Sequence, residues 1–336
     1  MSKFIFQILI SILILQFSGC EHENIGQFKS PYTVEEIKTG SNWWLTSIYF
    51  EDVNNIIVTG FDISSSDYNS TFLRSSDGGI TWSVDTLNLK GLRVDYLTGY
   101  KEKRFAKGID FTVSSNPKNF LLYSKDSGKT WKPDSSFQNC NCSPFFISDS
   151  VWLMSWGHIF YKTDDSGANW KQVLSINFPA PGSLIKAGKK NLFIHGGSTY
   201  DYVDAGFLFK STDLGETWAK INHKFSNITN AQFVNDSLGY LFTFKQQMIK
   251  TSDTGNSFNI INPNIDPYPI CYFNSELEGL YASIVTNSIK YTSDGGKTWY
   301  EIYHNNNIQI SDMEFYSPQL GIVITHNGLI LKIVKH

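Results

Sequence analysis

Short apolar segments follow one another along most of the chain and are separated by polar stretches rich in Gly, Asp, Ser and Asn. Two such apolar runs are Ala231–Val234 and Leu238–Phe244, and a second pair is Cys271–Phe273 and Gly279–Val285. Runs of about four to eight residues between turn-forming residues are typical of β-strands. The pattern therefore predicts a protein built mainly from short strands.

A third strand-like run precedes a motif that recurs six times. These runs are Thr71–Arg74, Phe120–Tyr123, His158–Lys162, Phe207–Lys210, Gln247–Lys250 and Ser288–Tyr291. The motif has the form Ser/Thr-x-Asp-x-Gly-x-Thr/Ser/Asn-Trp/Phe, and successive copies are 39 to 49 residues apart. Its aspartates are Asp77, Asp126, Asp165, Asp213, Asp253 and Asp294, and its aromatic residues are Trp82, Trp131, Trp170, Trp218, Phe258 and Trp299.

The chemistry of this motif predicts a tight turn followed by a new strand. Gly two positions after Asp supplies a positive φ, and the Asp side chain can accept hydrogen bonds from amides of its own turn. The Trp begins the next strand as a large apolar anchor. Each repeat thus holds about four strands, with the motif between the third and the fourth, which is the pattern of a β-propeller blade.

The motif resembles the Asp-box, or BNR repeat, of sialidase-type propellers. Its wording and spacing are most similar to the propellers of photosystem II assembly factors and sortilin-like proteins. The resemblance covers about residues 41–305. It implies a propeller fold, and by analogy with the assembly factors it suggests a role in protein binding or assembly, although a fold does not by itself determine a function.

The number of repeats predicts seven blades. Ile308–Tyr316, Leu320–Ile324 and Leu329–Val334 repeat the first three runs without a following motif, while the strand-like Tyr32–Thr39 precedes the first repeat. We therefore predict an all-β, seven-bladed propeller of four-stranded antiparallel blades, closed by this N-terminal strand in the last blade. A six-bladed ring with a separate C-terminal hairpin is the alternative. The predicted blades are 41–86, 87–135, 140–175, 180–222, 226–262, 267–305, and 308–336 with 31–39.

The N-terminus predicts export and lipid anchoring. Phe4–Phe17 is an apolar run too short to span a bilayer and suited to the apolar region of a signal peptide. Ser18 and Gly19 followed by Cys20 resemble a bacterial lipobox, although Phe17 replaces the usual Leu. We expect a lipoprotein signal peptide at 1–19, a tether at 20–30 and the propeller at 31–336, with the protein lipid-anchored to a bacterial membrane on its periplasmic or surface side. An ordinary secretory signal is the alternative.

Composition narrows the function further. Aromatic residues make up 15% of the chain, and the net charge is −3, so no excess of basic residues indicates nucleic-acid binding. The cysteines Cys140, Cys142 and Cys271 are interpreted as structural or inert, with a small disulfide ring between Cys140 and Cys142 left open, since one Cys-x-Cys pair is weak evidence for a metal site. No metal and no cofactor are predicted.

No catalytic residue is assigned from the sequence. Six motif aspartates about 40 residues apart fall on different blades, so they are interpreted as structural rather than as a catalytic or Ca²⁺ site. The sialidase resemblance implies an arginine clamp drawn from several blades, but this chain has only Arg74, Arg93 and Arg104, and sialidase activity is therefore excluded. Another glycosidase needs only two carboxylates, and the sequence singles out no such pair.

Ligand binding is expected on the face opposite the motif turns, where the loops differ most between blades. The long loops Phe61–Ser70 and Gly196–Gly206 contain the candidate binding residues, which are Asp62, Tyr68, Tyr200, Asp201, Tyr202 and Asp204. The predicted function is a monomeric, non-catalytic envelope scaffold that binds another protein. The alternative is a carbohydrate-active propeller that binds or cleaves glycans.

Overall fold

The computed structural model describes residues 29–40, 42–62, 69–85, 91–112, 117–133, 142–177, 182–197 and 206–336. In chain order its strands are β1 (Tyr32–Lys38), β2 (Trp43–Phe50), β3 (Ile56–Asp62), β4 (Ser70–Ser75), β5 (Ser83–Asp85), β6 (Leu92–Tyr100), β7 (Lys103–Asp110), β8 (Lys118–Ser124), β9 (Lys132–Pro133), β10 (Cys142–Phe146), β11 (Trp152–Trp156), β12 (Ile159–Thr163), β13 (Lys171–Ser175), β14 (Ser183–Ala187), β15 (Asn191–Gly197), β16 (Gly206–Ser211), β17 (Ala219–Lys220), β18 (Ile228–Phe233), β19 (Gly239–Thr243), β20 (Met248–Thr251), β21 (Asn259–Asn262), β22 (Pro269–Phe273), β23 (Gly279–Ser283), β24 (Ser288–Thr292), β25 (Tyr300–His304), β26 (Ile310–Ser317), β27 (Leu320–Thr325) and β28 (Leu329–Lys335). Within the described ranges no helix is long and apolar enough to cross a membrane.

These strands form seven antiparallel four-stranded sheets arranged as blades in a ring. Blades 1 to 6 are consecutive sets of four strands, beginning with β2–β5 and ending with β22–β25. Blade 7 consists of β26, β27, β28 and β1. The predicted all-β, seven-bladed fold is confirmed, and the six-bladed alternative is wrong because β26–β28 form a blade that contacts blade 1.

The first strand of each blade forms the inner edge of the ring, since first strands of most neighbouring blades contact one another. Hydrogen bonds connect these strands where they bulge: the Thr46 hydroxyl donates to the Val94 carbonyl at 2.9 Å, and the Ser311 hydroxyl donates to the Leu45 carbonyl at 2.9 Å. In the same region Gly108 of β7 lies so close to the backbone of β6 that a Cβ atom on it would be 1.8 Å from the Arg93 carbonyl oxygen. The inner edge is thus closely packed through backbone contacts.

The hydrophobic core is divided among the interfaces between blades. Each motif aromatic residue packs in a cluster that includes side chains of the preceding blade. Trp131 of blade 2, for example, packs with Ile57 and Phe72 of blade 1. The motif therefore contributes to the contact between two blades as well as to its own turn.

Blade 7 has no copy of the motif, and Tyr32 occupies the position that the motif aromatic residue has in the other blades. Its ring is 4% exposed and belongs to a cluster with Leu280 and Ile289 of blade 6. Its hydroxyl donates to Glu278 at 2.7 Å. From Tyr32 to Lys38, β1 pairs antiparallel with β28, so that the N-terminal strand is the outer strand of this blade.

The structure also describes two of the cysteines. Cys142 is buried and disulfide-bonded. Cys271 is a free cysteine on β22, partly buried in the interface between blades 5 and 6. Among the described residues no group of three or more His, Cys, Asp or Glu side chains is placed to hold a metal ion.

Candidate functional site

The chain path divides the connections between the two faces of the ring. The motif turns between third and fourth strands share one face, the motif face, with the turns between first and second strands. The connections between second and third strands, and those between blades, lie on the opposite face. A ligand on the opposite face would therefore meet the connections that vary most in length and sequence.

On the motif face, each aspartate is engaged in its own turn. In blade 1 the Asp77 carboxylate accepts hydrogen bonds from the Thr81 amide at 2.9 Å, the Thr81 hydroxyl at 2.5 Å and the Ser75 hydroxyl at 2.8 Å. The Ser75 hydroxyl also accepts a bond from the Gly79 amide. The other five copies repeat this network, with Asn169 and Ser257 in place of threonine in blades 3 and 5.

A backbone contact that the sequence analysis missed fixes each of these turns to its blade. The residue after the aspartate has a positive φ and donates its amide to the turn between the first and second strands, as Gly78 does to the Asn54 carbonyl at 3.0 Å. The equivalent donors are Ser127, Ser166, Leu214, Thr254 and Gly295. Leu214 and Thr254 hold φ values of 58° and 61°, although this conformation costs a residue other than Gly about 1–2 kcal/mol. Their conformation indicates how strongly the surrounding structure determines the turn.

These hydrogen bonds keep the motif carboxylates ionised. The Thr81 hydroxyl, followed by the Thr81 amide and the Ser75 hydroxyl, lowers the pKa of Asp77 to about 2. The pKa values of Asp126, Asp165 and Asp253 are also about 2, first because of the side-chain donors Thr130, Asn169 and Ser257 respectively. A carboxyl group with so low a pKa is a poor proton donor near neutral pH. The motif carboxylates therefore act as hydrogen-bond acceptors that stabilise their own turns.

The opposite face carries a row of aromatic and cationic side chains, which we call the aromatic–cation row. It consists of His326 of blade 7, Trp44 and Phe61 of blade 1, and Arg93 and Phe111 of blade 2. The ring centroids of Trp44 and His326 are 3.9 Å apart, and those of Trp44 and Phe61 are 6.0 Å apart in a stacked arrangement. The Arg93 guanidinium lies 5.3 Å from the Phe61 ring centroid and 5.5 Å from that of Phe111.

Two members of this row carry polar side chains, one with a buried ring nitrogen and one with a partly exposed guanidinium. The Nδ1 atom of His326 has no hydrogen-bond partner, and burial lowers the pKa of this histidine to about 4, so that its ring is neutral at physiological pH. The Arg93 guanidinium is paired with Asp95 at 2.8 Å and is still about a quarter exposed. The row therefore offers aromatic surface and a partly neutralised cation, next to a neutral imidazole whose Nδ1 atom is buried.

The predicted binding residues are only partly described. Asp62 is the last residue of β3, on the opposite face, where it pairs with Trp43 next to the row. The other predicted residues lie outside the described residues: Tyr68, Tyr200, Asp201, Tyr202, Asp204 and the lipidation residue Cys20. Trp44, Arg93 and His326 were not predicted as a group because they belong to three blades, and only their aromatic or cationic character could have indicated them.

Two carboxylates on the inner edge of the ring were also missed. Asp312 and Glu314 are two residues apart on β26, and the Asp312 carboxylate accepts a hydrogen bond from the Met313 amide at 2.8 Å. Burial raises the pKa of Asp312 to about 6, and burial together with the Asp312 charge raises that of Glu314 to about 8. The Glu314 side chain is exposed along the inner edge, where the surrounding protein partly desolvates its carboxyl group. Two acidic residues in an innermost strand are the sequence signal that could have found them.

We expect the Glu314→Gln substitution to stabilise the protein more at pH 8.5 than at pH 5. A carboxyl group whose pKa is raised on folding contributes stability below its unfolded pKa, and this contribution is lost as the pH rises through the folded value. The amide removes this dependence between about pH 4.5 and pH 8. Melting temperatures of both proteins at the two pH values check the prediction. Glu35→Gln, which changes an exposed carboxylate on β1, is the control. An equal gain in melting temperature from Glu314→Gln at both pH values would contradict the prediction.

No known protein family and no curated protein matches this sequence. Solved structures of β-propellers are similar to it in fold. YCF48 bound to D1 peptide has a TM-score of 0.67 and 18% identity over 92% of this chain and 99% of that one. YCF48 from Cyanidioschyzon merolae has a TM-score of 0.67 and 16% identity over 89% and 98%. The GH74 xyloglucanase from Xanthomonas campestris has a TM-score of 0.56 and 14% identity over 84% of this chain and 51% of its own. At these identities the similarity concerns the fold alone.

Proposed function

We propose that this protein is a non-catalytic propeller, anchored in the bacterial cell envelope through a lipid on Cys20, that binds a segment of another envelope protein on its opposite face. The aromatic–cation row is the observation that carries the proposal. The row combines contributions from blades 7, 1 and 2, so that a rigid scaffold holds residues distant in the sequence at one surface.

The chemistry of the row suits a polypeptide partner. Trp and Arg are enriched in protein–protein interfaces, where an aromatic ring contributes apolar area and a guanidinium stacks on other rings. A propeller of similar shape has been solved as YCF48 bound to D1 peptide, which supports a peptide-binding role for the present fold. Asp62, at the end of β3 on the same face, would extend this surface. We expect the predicted residues Tyr68, Tyr200 and Tyr202, which lie outside the described residues, to extend it further.

Site-specific crosslinking tests which face binds. A photoactivatable amino acid would replace Trp156 or Val285, which are exposed on the opposite face, or Ile80 or Leu277, which are exposed on the motif face. Crosslinks formed in intact cells would be identified by mass spectrometry. We expect one envelope protein to be recovered from the first pair and not from the second. Crosslinks from the motif face alone would reverse the assignment.

Substitutions then measure the contribution of individual residues. Arg93→Ala, or Tyr200→Ala together with Tyr202→Ala, is expected to weaken partner binding by about 2 kcal/mol, the size of a hot-spot contact, with little change in melting temperature. Lys129→Ala with Lys297→Ala is the matched control, since both lysines are exposed on the motif face. Loss of binding in the lysine variant, with normal binding in the others, would contradict the proposal.

Lipid anchoring has its own test. The Cys20→Ala protein is expected to move from the membrane fraction to the soluble fraction, because the acyl chains attached at this residue would provide the membrane affinity. Fractionation at high salt, with wild-type protein and metabolic labelling by a fatty acid as references, measures the change. Retention of the variant on membranes at high salt would show a different mode of attachment.

A carbohydrate-active propeller is the second candidate function, and Asp312 and Glu314 favour it. Desolvation raises the pKa of both carboxyl groups, and a glycosidase requires a carboxyl group that stays protonated near neutral pH. The xyloglucanase of similar fold makes xyloglucan the first substrate to test. Hydrolysis that is abolished by Glu314→Gln would establish this function in place of the scaffold.

A further inference from the structure

A cavity of about 420 Å³, lined by both polar and apolar groups, lies on the opposite face where the connections around blade 7 meet. Such a volume is within the range of about 300–1,000 Å³ found for small-molecule sites. Its polar lining comes from the outer strand β1, from the segment between β1 and β2, from the segment between β25 and β26 and from the turn between β27 and β28. The side chains concerned are Glu36, Lys38, Asn42, Asn305, Asn307 and Asn327.

Internal hydrogen bonds hold part of this lining in place. The Asn327 amide donates to the Asn307 carbonyl at 3.1 Å and accepts from the Thr325 hydroxyl at 2.6 Å. The Asn305 amide donates to Glu36 at 3.3 Å, and the Tyr303 hydroxyl donates to the same Glu36 oxygen at 2.7 Å. The walls of the cavity are thus connected to one another before any ligand arrives.

Other groups of the lining are available to a ligand. Among the described residues, the side-chain amides of Asn42 and Asn307 and the ammonium group of Lys38 form no hydrogen bond or ion pair. Each primary amide carries both a donor and an acceptor. The cavity therefore presents paired donors and acceptors rather than a field of one sign.

The charges and the apolar residues of the cavity lining indicate what kind of ligand would fit. Glu36 and Lys38 carry opposite charges, so the cavity does not select strongly for an anion or a cation. Ile308 and Leu329, which are 6% and 7% exposed, provide a small apolar floor. A ligand that matches these features is uncharged, carries several neighbouring hydroxyl groups and has one apolar face.

We propose that this cavity is a binding site for a neutral saccharide, with Asn42 and Asn307 hydrogen-bonding its hydroxyl groups and the sugar ring resting on Ile308 and Leu329. A sugar hydroxyl both donates and accepts, as a primary amide does. The cavity borders the aromatic–cation row, since Asn327 follows His326 and Asn42 lies two residues before Trp44, but it shares no lining residue with the row or with Asp312 and Glu314. It implies recognition of a glycan without requiring its cleavage, and it stands or falls independently of the protein partner.

Ligand-observed NMR on the folded protein tests the site directly. The probes are cellobiose, maltose and chitobiose as neutral disaccharides, with glucuronic acid and inorganic phosphate as charged probes. We expect at least one neutral disaccharide to bind and the two charged probes to bind at least tenfold more weakly. Binding of phosphate or glucuronic acid in preference to the disaccharides, or binding of no disaccharide, would overturn the proposal.

Variants locate the bound sugar. Asn42→Ala with Asn307→Ala is expected to weaken binding at least tenfold and leave the melting temperature unchanged, because neither amide has a partner within the described structure. Asn259→Ala, which removes an exposed amide from the outer strand of blade 5, is the control and should bind as the wild type does. Unchanged affinity in the double variant would show that the sugar binds elsewhere and would overturn the assignment of this cavity.

Discussion

Deletion of Tyr32–Lys38 is expected to produce a protein that aggregates or melts far below the intact chain. The deletion removes the outer strand of blade 7 and leaves the backbone groups of β28 unpaired at a sheet edge. Free edges of this kind promote association between chains. The deletion also removes the Tyr32 ring from the interface between blades 6 and 7. Thermal unfolding and size-exclusion chromatography measure the two effects.

Substitutions at Tyr32 separate the ring from the strand. Tyr32→Ala should cost about 3 kcal/mol through the cavity it leaves, as for other buried aromatic residues. Tyr32→Phe should cost about 1 kcal/mol, since it keeps the ring and removes only the hydroxyl, which donates to Glu278 and accepts from the Asn274 amide. Deletion of Glu21–Gln27 is a control of equal length that spares β1. A monomeric protein that lacks β1 and melts like its parent would show that the ring is stable without this strand.

The second large effect is expected for Trp131→Ala, with a loss of about 3 kcal/mol in the free energy of unfolding. Trp131 packs between blades 1 and 2, with its ring centroid 6.2 Å from that of Phe72. Its indole nitrogen has no hydrogen-bond partner, so the loss comes from packing. Chemical denaturation at neutral pH measures the change.

Asp126→Ala in the same turn is expected to destabilise the protein less than Trp131→Ala. Asp126 is at the surface, and its removal leaves the Thr130 amide and hydroxyl free to bind water. Lys132→Ala, an exposed neighbour on β9, is the control and should unfold like the wild type. If Trp131→Ala unfolds like the wild type as well, the motif does not hold the blades together, and its interpretation as structural is wrong.

The chemistry of the motif turns could be predicted because it is local. Asp126 and Thr130 are only four residues apart, so their hydrogen bond depends on one turn whose conformation the glycine permits. Repetition of such turns at a nearly constant interval then predicts the blades and their number, because every repeat has the same pattern of strands. Even the assignment of Tyr32–Thr39 to the last blade follows from counting strands.

Other features depended on the closed ring. His326 and Trp44 are 282 residues apart in the sequence and have ring centroids 3.9 Å apart, because the ring brings blade 7 against blade 1. No periodicity in the sequence marks such a pair. The same closure brings the amides of Asn42, Asn305 and Asn327 to one cavity.

What the sequence by itself determined about this protein is therefore the repeating blade, since each turn and strand is stabilised by residues close together in the chain. Only the tertiary structure decided which side chains share a surface. That choice depends on which connections the ring brings together, and on desolvation, which raises the pKa of Asp312 on the inner edge and lowers that of His326 on the opposite face. Both effects arise from groups distant in the sequence, and so they appear only when the ring is closed.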